Sequence, residues 1–247
     1  MPERWLDAAA RRHAGGSIFG RPCPHQVALT LASAGEASAE GDADRAARLV
    51  GKACSIAPGD VGLAIARARH LVSIGRSAEA GKTLAAAGEA QGPFAVTIME
   101  ARGDVDWAEG RPERARPSYE AAIGLAAEDG DIRALAVKIW CIDNPGPGGE
   151  IRDYLLGRAG RTPAEAVKIL EGIAGRFQGE PTVVYMLGRA QARAGMWAEA
   201  AGSLERAVGA WSLKGVGGGF HGALPHPVIA GEALRMLAEA KIYAGDA

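Results

Sequence analysis

"MLGRAQARAGMWAEAAGSLERAV", Met186–Val208, joins two helical stretches at Gly195 and places small residues, Gly188, Ala200 and Ala207, where a helix interface would ordinarily bury bulk. Counted from Gly195, Ala200, Leu204 and Ala207 stand at offsets of 5, 9 and 12. The same figure recurs as Gly41, Ala46, Val50, Ala53; as Gly75, Ala80, Leu84, Ala87; and as Gly110, Ala115, Tyr119, Ala122. A fifth, degraded copy, Ala166, Leu170 and Ile173, follows Gly160. The anchor alanines at 46, 80, 115, 166 and 200 are separated by steps of 34, 35, 51 and 34 residues. A period of this length is the signature of stacked supersecondary units, each too small to bury its apolar face alone. The long step exceeds the period by 17 residues, which is half a unit and so one helix.

The offsets explain the unit physically. An alanine, a large apolar residue four later and a small residue three after that share one face of a helix with 3.6 residues per turn. Seven residues before each glycine stand Ala34, Ala68, Gly103 and Gly188, all small. Small residues on both facing helices let two antiparallel helices approach to the short end of the usual range of about 8–10 Å. The glycine between them ends the first helix and supplies a left-handed residue for the tight turn.

Composition agrees. Hydrophobic residues make up 48% of the 247, but aromatics only 5%, so the apolar content is mostly alanine, leucine and valine, a helix-forming mixture. The formal charge of −1 gives no support to polyanion binding. Cys23, Cys54 and Cys141 are odd in number and widely spaced, which points to free thiols in a reducing compartment. With no secretory-type apolar run at the start and no stretch of about 18 consecutive apolar residues, a cytoplasmic chain without membrane insertion is expected.

These residues resemble the tetratricopeptide repeat family, whose 34-residue helix-turn-helix unit has small residues at its eighth and twentieth positions, glycine at the fifteenth and a large residue at the twenty-fourth. Gly188, Gly195, Ala200 and Leu204 match that pattern, and Ala207 continues it; Val184 and Gln191 depart from the family's usual tryptophan and tyrosine. The resemblance covers about residues 27–214. It implies an all-α, right-handed superhelix of about five helical hairpins in a single domain, 1–247. The expected parts are an N-terminal helix and linker (1–26), repeats at 27–60, 61–95 and 96–130, an inserted helix with a Pro/Gly loop (131–149), a degenerate repeat (150–180), a repeat at 181–214, a Gly-rich loop (215–226) and a capping helix (227–247).

Helices are expected near 3–13, 25–40, 43–56, 60–74, 77–89, 94–108, 112–127, 130–142, 150–159, 163–175, 181–194, 197–211 and 227–244, with boundaries good to about 2–4 residues. Pro117 falls inside one of them and should bend it unless it lies in the first turn. The loop Asn144–Glu150 can span the length of the helix before it, so it is expected to run back alongside 131–142 and keep the superhelix continuous.

No catalytic constellation emerges. His13, His25, His70, His221 and His226 have no neighbouring nucleophile in a usable arrangement, and no catalytic residue, metal site or cofactor is assigned. Cys23 and His25, or His221 and His226, match no zinc spacing. "GVGGGF", Gly215–Phe220, lacks the helix start and Lys-Ser/Thr pair of a phosphate cradle.

The family resemblance implies a non-catalytic interaction scaffold that holds a protein or peptide segment in a concave groove lined by the first helix of each unit. Its groove positions fall here on Arg69, on Glu100, Asp104 and Trp107, and on Tyr185, Arg189 and Arg193. Arg189 and Arg193, four apart, are expected to share one carboxylate of the ligand. Two alternatives stay open: a regulatory or accessory domain of a larger enzyme or membrane protein, and a helical-repeat RNA reader. Nucleic acid is not an expected partner, and self-association is left open.

Overall fold

A computed structural model describes residues 24–88, 92–159, 162–178, 180–214 and 227–245. These form twelve α-helices and no strand: α1 (Pro24–Ala39), α2 (Ala43–Ile56), α3 (Val61–Ser73), α4 (Ser77–Ala87), α5 (Ala95–Ala108), α6 (Pro112–Leu125), α7 (Asp129–Asp143), α8 (Pro145–Leu155), α9 (Pro163–Arg176), α10 (Pro181–Arg193), α11 (Trp197–Lys214) and α12 (Pro227–Ala244). A short 3-10 turn, Gly92–Phe94, precedes α5. The all-α helical-repeat reading holds. The helix expected at 3–13 and the Gly-rich segment 215–226 lie outside the described residues.

The chain divides into two compact units, Met1–Arg111 and Pro112–Ala247, the division falling between the helices of the third expected repeat. In the first unit α1 pairs with α2 and α3 with α4, α2 packs on α3, and α5 packs on both α3 and α4. In the second, each helix from α6 to α12 packs on its neighbours in sequence, and α12 also touches α10 and α7.

One turn is used repeatedly. Gly41, Gly75, Gly110 and Gly195 have φ of 83°, 82°, 76° and 76°, and the amides of Asp42, Arg76, Arg111 and Met196 donate back to the carbonyls of Ala37, Leu71, Asp106 and Gln191. This closure satisfies carbonyls that a helix end leaves open, and it requires the left-handed residue that glycine supplies. A fifth example ends α8, where Gly157 has φ 70° and Arg158 donates to Asp153. The turn of the degenerate copy is therefore at Gly157, upstream of Gly160.

Helix starts are fixed by side chains that accept orphan amides. Asp42 caps α2 through the Arg45 amide at 2.9 Å, and Asp60 caps α3 through the Leu63 amide at 3.1 Å. Thr162 and Glu165 form a reciprocal capping box at α9.

The small-residue positions are contact points. A Cβ added to Gly188 would lie 2.8 Å from Leu204 Cγ and 3.4 Å from the Ala200 carbonyl oxygen. The five anchor alanines, Ala46, Ala80, Ala115, Ala166 and Ala200, are all buried, as are the large residues four later, Val50, Leu84, Tyr119, Leu170 and Leu204.

The Pro/Gly stretch corrects the sequence reading. Asn144–Glu150 is not an extended return; α8 begins at Pro145, and α7 packs on both α6 and α8 as an ordinary member of the run. Pro145 and Pro147 both sit in the first turn of α8, where the missing amides would have no intrahelical partner. Gly148 is buried, and a Cβ there would land on the Cys141 carbonyl. The glycines that suggested a loop thus include one that lets two helix backbones touch. Pro117 lies beyond the first turn of α6, so the Glu113 carbonyl loses its intrahelical donor.

Candidate functional site

The residues expected to line a groove stand on several helices, and the structure treats them unequally. In the first unit Arg69 of α3 reaches across to Glu100 of α5, with Arg69 Nη2 at 2.5 Å from Glu100 Oε2 and the arginine side chain 46% exposed. Asp104 and Trp107 lie on α5 but are buried, at 7% and 5% exposure, and Trp107 is a core ring. Of the two carboxylates expected to line the groove on α5, Glu100 is thus paired with Arg69 and Asp104 is buried.

In the second unit Tyr185 is fully buried on α10, its ring tilted against Trp211 of α11 at 5.9 Å between centroids. Its hydroxyl donates to Glu232 of α12. The guanidinium of Arg189 lies over the Tyr185 ring at 5.8 Å and 3.7 Å from Glu232 Oε2. A second guanidinium reaches the same oxygen from α7, Arg133 Nε at 2.8 Å. Burial first, and the neighbouring Glu232 carboxylate with it, hold the Tyr185 hydroxyl in its protonated form well above the usual phenol range. Arg193 is exposed at the end of α10 and pairs with no carboxylate among the described residues.

Two arginines therefore share a carboxylate, but they are Arg189 and Arg133, and the carboxylate belongs to the chain. Arg133 and Glu232 were missed because they are distant in sequence from α10. Glu232 left a trace: it sits in line with Ile229, Ala233 and Ala240, the buried face of an otherwise amphipathic helix.

The thiols are poorly placed for nucleophilic chemistry. Burial pushes the Cys141 thiol far up. Cys54 lines a cleft of 180 Å³ with Asp60, Arg67 and Thr83, and its thiol is also pushed up, desolvation outweighing the Arg67 charge. His70 Nε2 donates to the Ala43 carbonyl at 3.1 Å, while the side chains of His13, His25, His221 and His226 lie outside the described residues, as does Cys23. Among the described residues no helix is long and apolar enough to cross a membrane, and no group of His, Cys, Asp and Glu is arranged to hold a metal ion.

The regular glycine turns, the buried alanines and the charged first helices agree with a family match over residues 23–143, to the tetratricopeptide repeat-like domain. That stretch is a tetratricopeptide repeat-like domain. It runs from the start of α1 to the last residue of α7. The α10–α11 pair lies beyond the matched stretch, and Gly195 closes its turn with the bonds found at Gly41, Gly75 and Gly110. No curated protein matches the sequence. Two crystal structures of MamA are similar to it, at TM-scores of 0.42 and 0.40 and 15% and 16% identity. They cover 78% and 74% of this chain and 96% and 97% of theirs.

Proposed function

We propose that the protein is a non-catalytic interaction scaffold that takes up a protein or peptide segment along the first helices of its tetratricopeptide repeats. The observation that carries this reading is the division of labour within each hairpin. Scaffold positions are apolar and buried, while Arg69, its ion-pair partner Glu100 and Arg193 stand on first helices as charged groups outside the hairpin cores, the two arginines exposed. The tetratricopeptide repeat-like match supports it, as fold-level analogy. Charged groups of both signs suit a segment of mixed charge, by electrostatic complementarity.

The test is affinity capture with the full chain, identification of the bound segment, and titration of that segment against Arg69→Glu and Arg193→Glu. Each variant is expected to weaken binding about tenfold with unchanged helicity; melting should be unchanged for Arg193→Glu and slightly lower for Arg69→Glu, which sets a second carboxylate against the part-exposed Glu100. Full affinity in both variants overturns the reading. Arg189→Glu is unsuitable as a clean probe: it would set a second carboxylate against Glu232 and loosen α12.

A further inference from the structure

A binding role for the cluster around Glu232 deepens the groove reading and rests on it. The Glu232 side chain is 6% exposed, and groups from two other helices converge on it: Arg133 of α7, Arg189 of α10 and the Tyr185 hydroxyl. Both arginines are themselves largely covered, at 20% and 23% exposure. The cluster thus sets two guanidinium groups against one carboxylate and retains a surplus positive charge.

The helix that supplies the carboxylate packs chiefly on α11 but buries few large side chains fully. Beside Glu232, the fully buried residues of α12 are Ile229, Ala233 and Ala240, of which only Ile229 is large. A desolvated ion pair fixes register more than it adds net stability. Leu234, Ile242 and Tyr243 of α12 remain 55%, 64% and 62% exposed, more apolar surface than the polar outer side expected of a terminal cap. Trp197 stacks on Tyr243 at 4.6 Å and Lys241 pairs with Glu205 at 3.1 Å, both at the far end of the helix from Glu232.

We propose that Arg133, Arg189 and Tyr185 form a carboxylate-binding site for an amphipathic partner helix, and that α12 is the in-chain occupant such a partner displaces. The ligand class is read from the present occupant: a helix with an acidic residue in line with an apolar residue three positions before it and small residues after it, as in Ile229, Glu232 and Ala233. Arg193, exposed one turn beyond Arg189 on α10, is placed to meet a second acidic group that α12 does not supply.

The probe is a labelled peptide spanning Pro227–Ala244, titrated into the 247-residue chain and its Glu232→Ala variant by fluorescence anisotropy. The variant is expected to bind the peptide at least about tenfold more tightly than the wild type, since removing one member of a buried charged pair leaves the others unsatisfied. A peptide carrying Glu232→Ala should lose that gain. Equal binding of the two peptides, or none by a folded variant, overturns the proposal. Should the variant fail to fold, hydrogen exchange on the wild type decides. Excess peptide should accelerate exchange in α12 but not in α11, and unchanged α12 protection overturns the proposal. If the peptide fails while the captured segment still responds to Arg69→Glu and Arg193→Glu, the groove reading stands and α12 is a permanent cap.

Discussion

Gly188 is the contact on which the last hairpin depends. Gly188→Ala would push a methyl group against Leu204, and the expected cost is about 1–3 kcal/mol, in the range of core overpacking. A Cβ added to Gly202 on α11 would meet nothing within 4 Å, so Gly202→Ala should stabilise by roughly 0.5–1 kcal/mol through helix propensity; urea unfolding of both variants checks the contrast. Cys141 offers a different test. Its thiol is held protonated by burial, so its folded pKa lies above the unfolded value of about 8.5. Stability from this group is complete below that pH and is lost as pH rises beyond it. Melting should fall between about pH 8 and 9.5, and Cys141→Ala should flatten the slope. A thiol reagent should label the half-buried Cys54 in the native state while sparing Cys141.

Among the helices, α7 and α8 carry the clearest prediction. The Gly148 position faces the backbone of Cys141, which cannot rotate away as a leucine side chain can. Gly148→Ala should therefore cost at or above the ~3 kcal/mol upper end of overpacking, whereas Gly149→Ala, with open space around it, should be tolerated. Differential scanning calorimetry of the two variants separates these outcomes. Equal melting would mean that α7 and α8 do not need their close approach. This pair is also where sequence reading failed. "NPGPGG", Asn144–Gly149, carries the residues of a loop, but prolines in a first turn and a glycine at a backbone contact are equally compatible with a helix. Only the neighbouring helix distinguishes the two, and its position is not a local property. Elsewhere local signals sufficed: the Gly41, Gly75, Gly110 and Gly195 turns stand where the period put them.

Across the molecule the formal charge of −1 conceals local pairing. Arg69 with Glu100, and Arg133 and Arg189 with Glu232, leave Arg193 as an exposed cation on a first helix. Segment binding through such exposed groups should weaken as ionic strength rises past about 0.1 M, where the screening length is near 10 Å; titration of the captured segment at several salt concentrations checks this. Binding that is insensitive to salt would place the affinity in apolar contacts. By itself the sequence determined the helical class, the 34-residue period, the turn glycines and the alanines that bring paired helices together. Each of these follows from residue type and spacing within one hairpin. Tertiary structure alone decided which charged groups meet. Tyr185 and Arg189 were named from the sequence as groove positions, but the groups they meet come from α11 and α12, brought to α10 by packing that no local spacing encodes. The carboxylate expected from a ligand is, in this chain, supplied by Glu232.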